Sequence, residues 1–272
     1  MGNPKRSVDT FGLGGEKNHP QFVTALARGL SILRCFERDE RYLGNQDIAS
    51  RTDLPKPTVS RLTFTLASLG YLDYSASLEK YSLGVGVLAL GRAFKNSNDI
   101  VAVSHPLMEE LAQYTKAAVM LATNDDSQMV LLDICQGDPT FHLQLETGSP
   151  IPHSSTALGR AYLAVRPIEA FERYLKSLQK GCPPSKWPKI KAGIVRARED
   201  CEQYGFCFSL GDWNRDVFAV GVPIISADRS RIFAFNCSGR ISLVTREKLV
   251  RDFGPKLVAM RNKIYDITGG RF

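Results

Sequence analysis

The chain has 272 residues, 43% hydrophobic and 23% charged, enough apolar material for two ordinary globular domains. That balance excludes a mostly disordered chain. Thirty-five Lys and Arg against 28 Asp and Glu give a formal net charge of +7, and the first 95 residues carry 13 basic against 9 acidic groups, which suits an anionic partner near that end.

Residues 1–21 hold Gly, Asn, Pro and charges without an apolar period and read as a disordered leader. A first helix is expected over 23–36, with Leu26, Leu30, Leu33 and Phe36 as its buried face. A short helix follows over 45–52, which Asn45 can cap and which buries Ile48 and Ala49. Pro55 ends that segment, and Pro57 sits in the first turn of the next helix, where its missing N–H costs nothing. This third helix runs to Leu69 and stops at Gly70, with Val59, Leu62, Leu66 and Leu69 as its stripe. Extended runs at 71–74 and 79–82, joined through 75–78, complete a winged helix-turn-helix over 22–83.

Residues 84–99 read as a linker helix. The run GVGVLALG within it has the wrong spacing for a dinucleotide loop, so its glycines are expected to serve packing. From 100 to 272 the pattern gives one α/β domain: a helix over 101–114, then strands at 118–123, 129–135 and 141–145. Helices at 155–165, 168–178 and 190–204, strands at 206–210, 218–225 and 232–237, and a long helix capped by Thr245 follow. The fold class expected is α+β, with a mixed, largely antiparallel sheet in the second domain.

The apolar runs at 217–225 and 83–90 are far shorter than the roughly 18 residues that span a bilayer, and no signal segment is apparent. Six cysteines without a CxxC pair suit a reducing, cytoplasmic setting and exclude a zinc finger or ribbon.

A recognition helix buries one side and offers polar groups on the other. Lys56, Thr58, Ser60, Arg61 and Thr65 lie opposite the apolar stripe. N-terminal residues of such a helix reach base edges in the major groove. Arg61 suits a guanine edge, and Thr58 and Ser60 suit a thymine methyl or a phosphate. Arg51 and Lys56 suit phosphates, and Lys80 places a charge in the wing.

In the second domain, the polar loop 148–156 immediately precedes a helix, whose N-terminus favours an anion. Ser154, Ser155 and Thr156 add hydroxyls there. Asp212, Trp213, Asn214 and Asp216 lie between strands, and Asn236 and Ser238 interrupt an apolar strand. Convergent polar groups in an apolar shell suit a small-molecule site. Each also has a plainer role: His153 as a bonded loop residue, Ser154 and Ser155 as caps, Trp213 as a packed aromatic, Asp212 and Asp216 as turn residues.

Taken together, ALARGLSILRCF, DIASRTDLPKPTVSRLTFTLASLGYL and KYSLGVGVLALG resemble the IclR family of bacterial transcriptional regulators. GSPIPHSSTALGRAYLA, GDWNRDVFAVGVPI and FNCSGR extend the resemblance over about 22–268. It implies a winged helix-turn-helix, a linker helix and a GAF-like effector-binding domain. It also implies a homodimer or dimer of dimers on palindromic double-stranded DNA, with a small organic acid as effector and a catabolic operon as target. Thr156, Ala157, Asp212, Asn236 and Ser238 fall where the family lines its effector cavity. Ser154 stands where many members have His, and Gly221 where some have Cys. Gly221 leaves room, so that Trp213 and Phe235 can pack against an aromatic ring.

No enzyme is expected: Ser154 and His153 are adjacent and diverge, and no GxSxG elbow exists. No cofactor or metal is expected either, since His153, Asp212 and Cys237 lack local ligand spacing. The alternative is a small-molecule enzyme or sensor that uses the winged helix as an interaction module.

Overall fold

The architecture comes from a computed structural model that describes residues 20–36, 40–96, 99–125, 128–139 and 143–272. The expected leader at 1–21 lies almost wholly outside the described residues. The chain divides into two units, residues 1–97 and 98–272.

The first unit contains α1 (Thr24–Leu33), α2 (Asn45–Thr52), α3 (Lys56–Ser68), β1 (Leu72–Ser75), β2 (Lys80–Leu83) and α4 (Val85–Asn96). Its core is Ile32, Leu43, Ile48, Val59 and Leu72. The α1 face differs from the expected one. Leu26 and Leu30 are 61% and 50% exposed, whereas Ile32 is fully buried. The helix ends at Leu33; Gly29, Ser31 and Ile32 face inward, and Leu33 and Phe36 pack partly against the same core. Of the expected face, Leu26 and Leu30 point to solvent, while Leu33 and Phe36 turn to the core.

Gly44, not Asn45, precedes α2, and its N–H donates to Asp47 Oδ2 at 2.9 Å. Asn45 Oδ1 instead accepts from the buried Thr63 hydroxyl at 3.2 Å, tying α2 to α3. Leu69 is exposed at the end of α3 and contributes nothing to its stripe. Gly70, with φ +76°, ends the helix. Tyr71 N–H donates to Leu66 O and Gly70 N–H to Ala67 O, the paired closing bonds of a left-handed C-cap. β1 and β2 pair antiparallel, one residue later in sequence than expected, and Leu43 bridges Tyr81 beside them.

α4 starts against the Gly70 turn: Gly86 N–H donates to Gly70 O at 3.0 Å. A Cβ on Gly84 would lie 2.5 Å from that same carbonyl oxygen. Gly84 and Gly86 of GVGVLALG are therefore packing residues, as expected, whereas a Cβ on Gly91 would meet nothing within 4 Å.

In the second unit, α5 (Asp99–Thr115), β3 (Ala118–Asp125), β4 (Gln128–Gln136) and β5 (Pro150–Ile151) lead to three helices. These are α6 (Ala157–Ala164), α7 (Ile168–Gly181) and α8 (Trp187–Tyr204). β6 (Cys207–Leu210), β7 (Val217–Ile225), β8 (Ile232–Arg240), the single turn α9 (Arg246–Lys248) and α10 (Gly254–Thr268) close the unit. The sheet order is β5-β4-β3-β8-β7-β6, and every ladder among the described residues is antiparallel.

Both sheet faces are covered. Met108, Leu257 and Ile264 of α5 and α10 pack on Val119, Val222, Phe235 and Cys237. Leu158 and Ala161 of α6 and Ile194 of α8 pack on Met120, Leu131 and Ala234 of the other face. The expected strand at 141–145 does not form over its described part. Leu145 N–H bonds to Leu143 O and Glu146 N–H to Ser149 Oγ, so the segment satisfies itself locally, and β5 pairs with β4 instead. Phe141 lies outside the described residues.

The expected long last helix widens into a π-turn at Leu249–Phe253. Pro255 has no N–H to return to Arg251, so the bond from Gly254 N–H spans five residues to Leu249 O.

Gly84→Ala forces a Cβ into a backbone carbonyl. It is expected to lower stability by about 1–3 kcal/mol in denaturant unfolding. An unchanged midpoint would mean that α4 does not dock on the Gly70 turn.

Candidate nucleic-acid interface and ligand cleft

α3 is half buried by Val59 and Thr63, which leaves Lys56, Ser60, Arg61 and Thr65 exposed on the other side, with Thr58 half buried. Lys56 and Arg61 have no ion pair or side-chain hydrogen bond among the described residues, so both cations are available. The Thr65 hydroxyl donates to Arg61 O at 3.0 Å and is spent on its own helix. Arg51 donates to Cys35 O at 2.9 Å and pairs with Glu40, which fixes the loop before α2. Lys80 lies beside the tip of the wing, paired with Ser75 across the hairpin, and 4.0 Å from Asp47 Oδ2.

Sequence reasoning passed over Phe64. It is 71% exposed, one turn beyond Ser60 and Arg61 on the outward face of α3. Its signal was its place outside the Val59, Leu62 and Leu66 stripe, where a large apolar residue has no folding role.

In the second unit a cleft opens between the N-terminus of α6 and the sheet. Met120, Thr156, Ala157, Ser209, Trp213, Asn236 and Ser238 are among its walls. Antiparallel register aligns Met120, Asn236 and Gly221 across three strands, and Ala118, Ser238 and Ala219 beside them. The cleft measures about 380 Å³ including its open mouth, but it is narrow, with room for about one water between its walls. A ring-sized ligand therefore requires a wall such as the partly exposed Trp213 to move.

Three buried side-chain polar atoms lack a hydrogen-bond partner among the described residues: Ser104 Oγ, Asn236 Oδ1 and Ser238 Oγ. Two of the three face this cleft. A buried polar group left unpaired costs about 1–3 kcal/mol, so two on one wall mark a place that a polar ligand or water completes.

The other expected cleft residues have different duties. Thr156 caps α6: its Oγ1 accepts from Gly159 N–H at 3.1 Å and donates to Pro152 O at 2.6 Å. Ser155 O accepts from Ser209 Oγ at 2.6 Å, and Ser154 O accepts from Arg160 Nε at 3.0 Å. Neither serine lines the cleft.

Asp212 is drawn away by the buried Arg160, whose Nη1 donates to Asp212 Oδ2 at 2.8 Å and to Phe208 O at 3.0 Å. Lys189 Nζ lies 3.7 Å from the other Asp212 oxygen. The pair anchors α6 to β6 and to the loop that carries Trp213.

Gly221 does not widen the cleft. A Cβ there would sit 2.3 Å from Ala157 O, so the missing side chain is filled by the backbone of α6. Phe235 packs on the α5 side of the sheet and cannot touch a ligand in the cleft. His153 is buried with its ring against Tyr162 and Tyr174, centroids 5.4 and 5.0 Å away. Cys237 faces the α5 side and burial pushes its thiol up to about 12, so His153, Asp212 and Cys237 do not gather. Cys207 lies under α6, its Sγ 3.7 Å from Ala157 O, and burial holds it as a neutral thiol.

Arg160→Ala strands Asp212 and two carbonyls. It is expected to cost about 2–3 kcal/mol in chemical denaturation, less than a fully buried pair because the Asp212 side chain is 25% exposed. A loss indistinguishable from zero would remove this clamp from the account.

Comparison with known proteins gives a single answer. The IclR helix-turn-helix domain matches residues 25–76, and the bacterial transcriptional regulator IclR C-terminal domain matches residues 93–265. The HTH-type transcriptional regulator TsaQ1/TsaQ2 of Comamonas testosteroni is 34% identical over 88% of this chain and 86% of its own length. The crystal structure of an IclR family transcriptional regulator from Brucella abortus shares 43% identity with a TM-score of 0.86, covering 97% of this chain and 99% of the other. An IclR homologue from Microbacterium hydrocarbonoxydans, solved in complex with 4-hydroxybenzoate, is 20% identical with a TM-score of 0.68, over 88% of this chain and 99% of its own, and shares the fold.

Proposed function

Since the chain belongs to the IclR family of bacterial transcriptional regulators, we propose that it binds a palindromic operator as a homodimer or dimer of dimers and responds to a small organic acid. Members of the family regulate transcription and are not enzymes, which sets aside the catalytic alternative. In this reading residues 22–83 bind DNA, 84–99 link, and 100–272 take the effector. Among the described residues no helix is long and apolar enough to cross a membrane, in keeping with work on DNA in the cytoplasm.

The outward face of α3 supports the DNA reading. Arg61 reads a guanine edge, Lys56 holds a phosphate, and Ser60 and Thr58 make short polar contacts. Phe64 meets a thymine methyl one turn further along. Arg51 reaches a phosphate only by leaving Glu40, and Lys80 does so from beside the tip of the wing.

Arg61→Ala is expected to weaken the specific complex by about 1–3 kcal/mol and random DNA far less; equal losses would make Arg61 a phosphate contact. Replacing the contacted thymine with uracil should weaken the wild type and leave Phe64→Ala indifferent. A penalty of equal size in both proteins would exclude the methyl contact.

α4 supports the dimer. Its Val85, Leu88 and Leu90 are exposed, as are Val23, Leu26 and Leu30 of α1. A twelve-residue helix with so much apolar surface in water is unstable without a partner. A two-fold operator reader supplies one as a second copy, with half-sites about 10 bp apart or a multiple of that. Leu88→Glu should give a folded monomer in light scattering; an unchanged mass would place the interface elsewhere.

The unpaired Asn236 Oδ1 and Ser238 Oγ carry the effector reading. The first N–H groups of α6, which lack carbonyl partners within the helix, add donors for a carboxylate. The aromatic acid held by the Microbacterium homologue supports the same ligand class. Binding there couples to operator affinity as a free energy shared between the two sites. Ser238→Ala removes an unpaired hydroxyl. It should leave unfolding unchanged or raise stability by up to about 1 kcal/mol, while weakening calorimetric binding of 4-hydroxybenzoate. A destabilised protein would show that the hydroxyl serves folding instead.

A further inference from the structure

On the face of the sheet opposite the cleft, α5 and β4 gather three unlike donor groups. His105 Nδ1 lies 2.6 Å from Asp133 Oδ2 and 3.7 Å from Cys135 Sγ. All three donor atoms fall within 4.8 Å of one another. The ladder explains how two strand residues come to serve one point. The register of β3 and β4 shifts between Leu121 and Ala122, so that Leu132 is bulged out and Asp133 and Cys135 project toward α5. Asp133 and Cys135 are buried, whereas the His105 side chain is 53% exposed. The cluster therefore has dry walls and one open side.

A nucleophilic relay does not fit. A base in a Cys-His-Asp relay touches its nucleophile with one ring nitrogen and its carboxylate with the other. Here the same nitrogen, Nδ1, faces both groups. Three donors aimed at one point is the arrangement of a metal site. Ligands at zinc distances, about 2.0–2.1 Å for nitrogen and 2.3 Å for sulfur, stand roughly 3.6 Å apart in a tetrahedral shell. The sulfur–nitrogen separation already matches. The oxygen–nitrogen hydrogen bond must open by less than about 1 Å, which the exposed His105 ring permits.

We infer that His105, Asp133 and Cys135 bind one divalent transition-metal ion, zinc by preference. One nitrogen, one oxygen and one sulfur donor select zinc or cobalt over magnesium or calcium, which take oxygen alone. Binding moves the proton that His105 Nδ1 shares with Asp133 to Nε2 through solvent, replaces that contact with two metal bonds, and releases the Cys135 thiol proton to solvent. The fourth position is left to water at the open side. Without a cation, burial and the nearby carboxylates of Asp133 and Glu109 push the Cys135 thiol up to about 11. A dication reverses the sign of that interaction, because the negative groups that oppose a thiolate attract the ion. The bound ion would fasten α5 to β4.

The ligands lie 28 and 2 residues apart on a helix and a strand, so no local spacing could reveal them. The expectation of no metal rested on His153, Asp212 and Cys237 and did not weigh these three residues.

The test is a cobalt titration of the full-length, chelator-stripped and reduced protein. One equivalent of Co²⁺ per chain should produce a near-ultraviolet thiolate-to-cobalt band. His105→Ala should weaken binding at least about tenfold. Cys135→Ser should abolish the band. His105→Ala takes the hydrogen-bond partner from the buried Asp133 and should lower the thermal midpoint of the metal-free protein, so binding is compared at a temperature where circular dichroism shows the variant folded, which separates ligation from folding. No band, or a band that persists undiminished in a folded His105→Ala protein, overturns the assignment.

Discussion

The seating of α6 directly on the sheet is the contact on which the second domain's site depends. Ala157 O occupies the space where Gly221 would carry a side chain, and nothing larger fits beneath it. Three consequences follow from that approach. The N-terminus of α6 meets the strand that carries Asn236 and Ser238. Arg160, on the buried side of the same helix, reaches Phe208 O and Asp212. The loop bearing Trp213 is thereby held against the cleft. The two unpaired polar atoms on β8 then face a nearly closed space instead of bulk water.

This arrangement suits a sensor. Unpaired polar atoms are costly in a resting protein, and a ligand that pairs them recovers that cost on binding. A cleft with room for about one water gains most from a ligand that moves its wall, and movement is what a sensor must transmit. The winged half has the complementary property. Its core is small and settled, and the surface proposed to meet DNA is the outward face of α3, where Lys56 and Arg61 are exposed without ion pairs among the described residues.

The fold was largely legible because its elements carry local punctuation. Gly70 stops α3, Thr245 caps its helix, and α2 and α3 start where the prolines and polar residues put them. The misreadings share one cause. Leu26 and Leu30 form a helical apolar stripe that looks like a core face, but sequence cannot tell a face turned to the core from one left exposed. Phe235 alternates correctly in its strand, yet alternation alone does not say which side is the cleft. The 141–145 segment alternates too, but its backbone closes on itself. At the site, Asn236 and Ser238 stood out as polar breaks in an apolar strand. Asp212 and Gly221 sat at the right addresses with other work, because a buried arginine and a helix carbonyl from elsewhere in the chain claimed them. The His105, Asp133 and Cys135 cluster was invisible for the same reason: it depends on a bulge that only strand pairing reveals.

The account turns on α3 reading sequence as part of a two-fold assembly. The most direct measurement is a selection of random duplex DNA by the purified full-length protein at fixed, near-physiological salt, followed by sequencing. An enriched inverted repeat, with half-sites about one helical turn apart or a multiple of it, is the predicted result. A pool that stays unenriched, with and without added organic acids, would contradict the claim that this winged helix reads sequence.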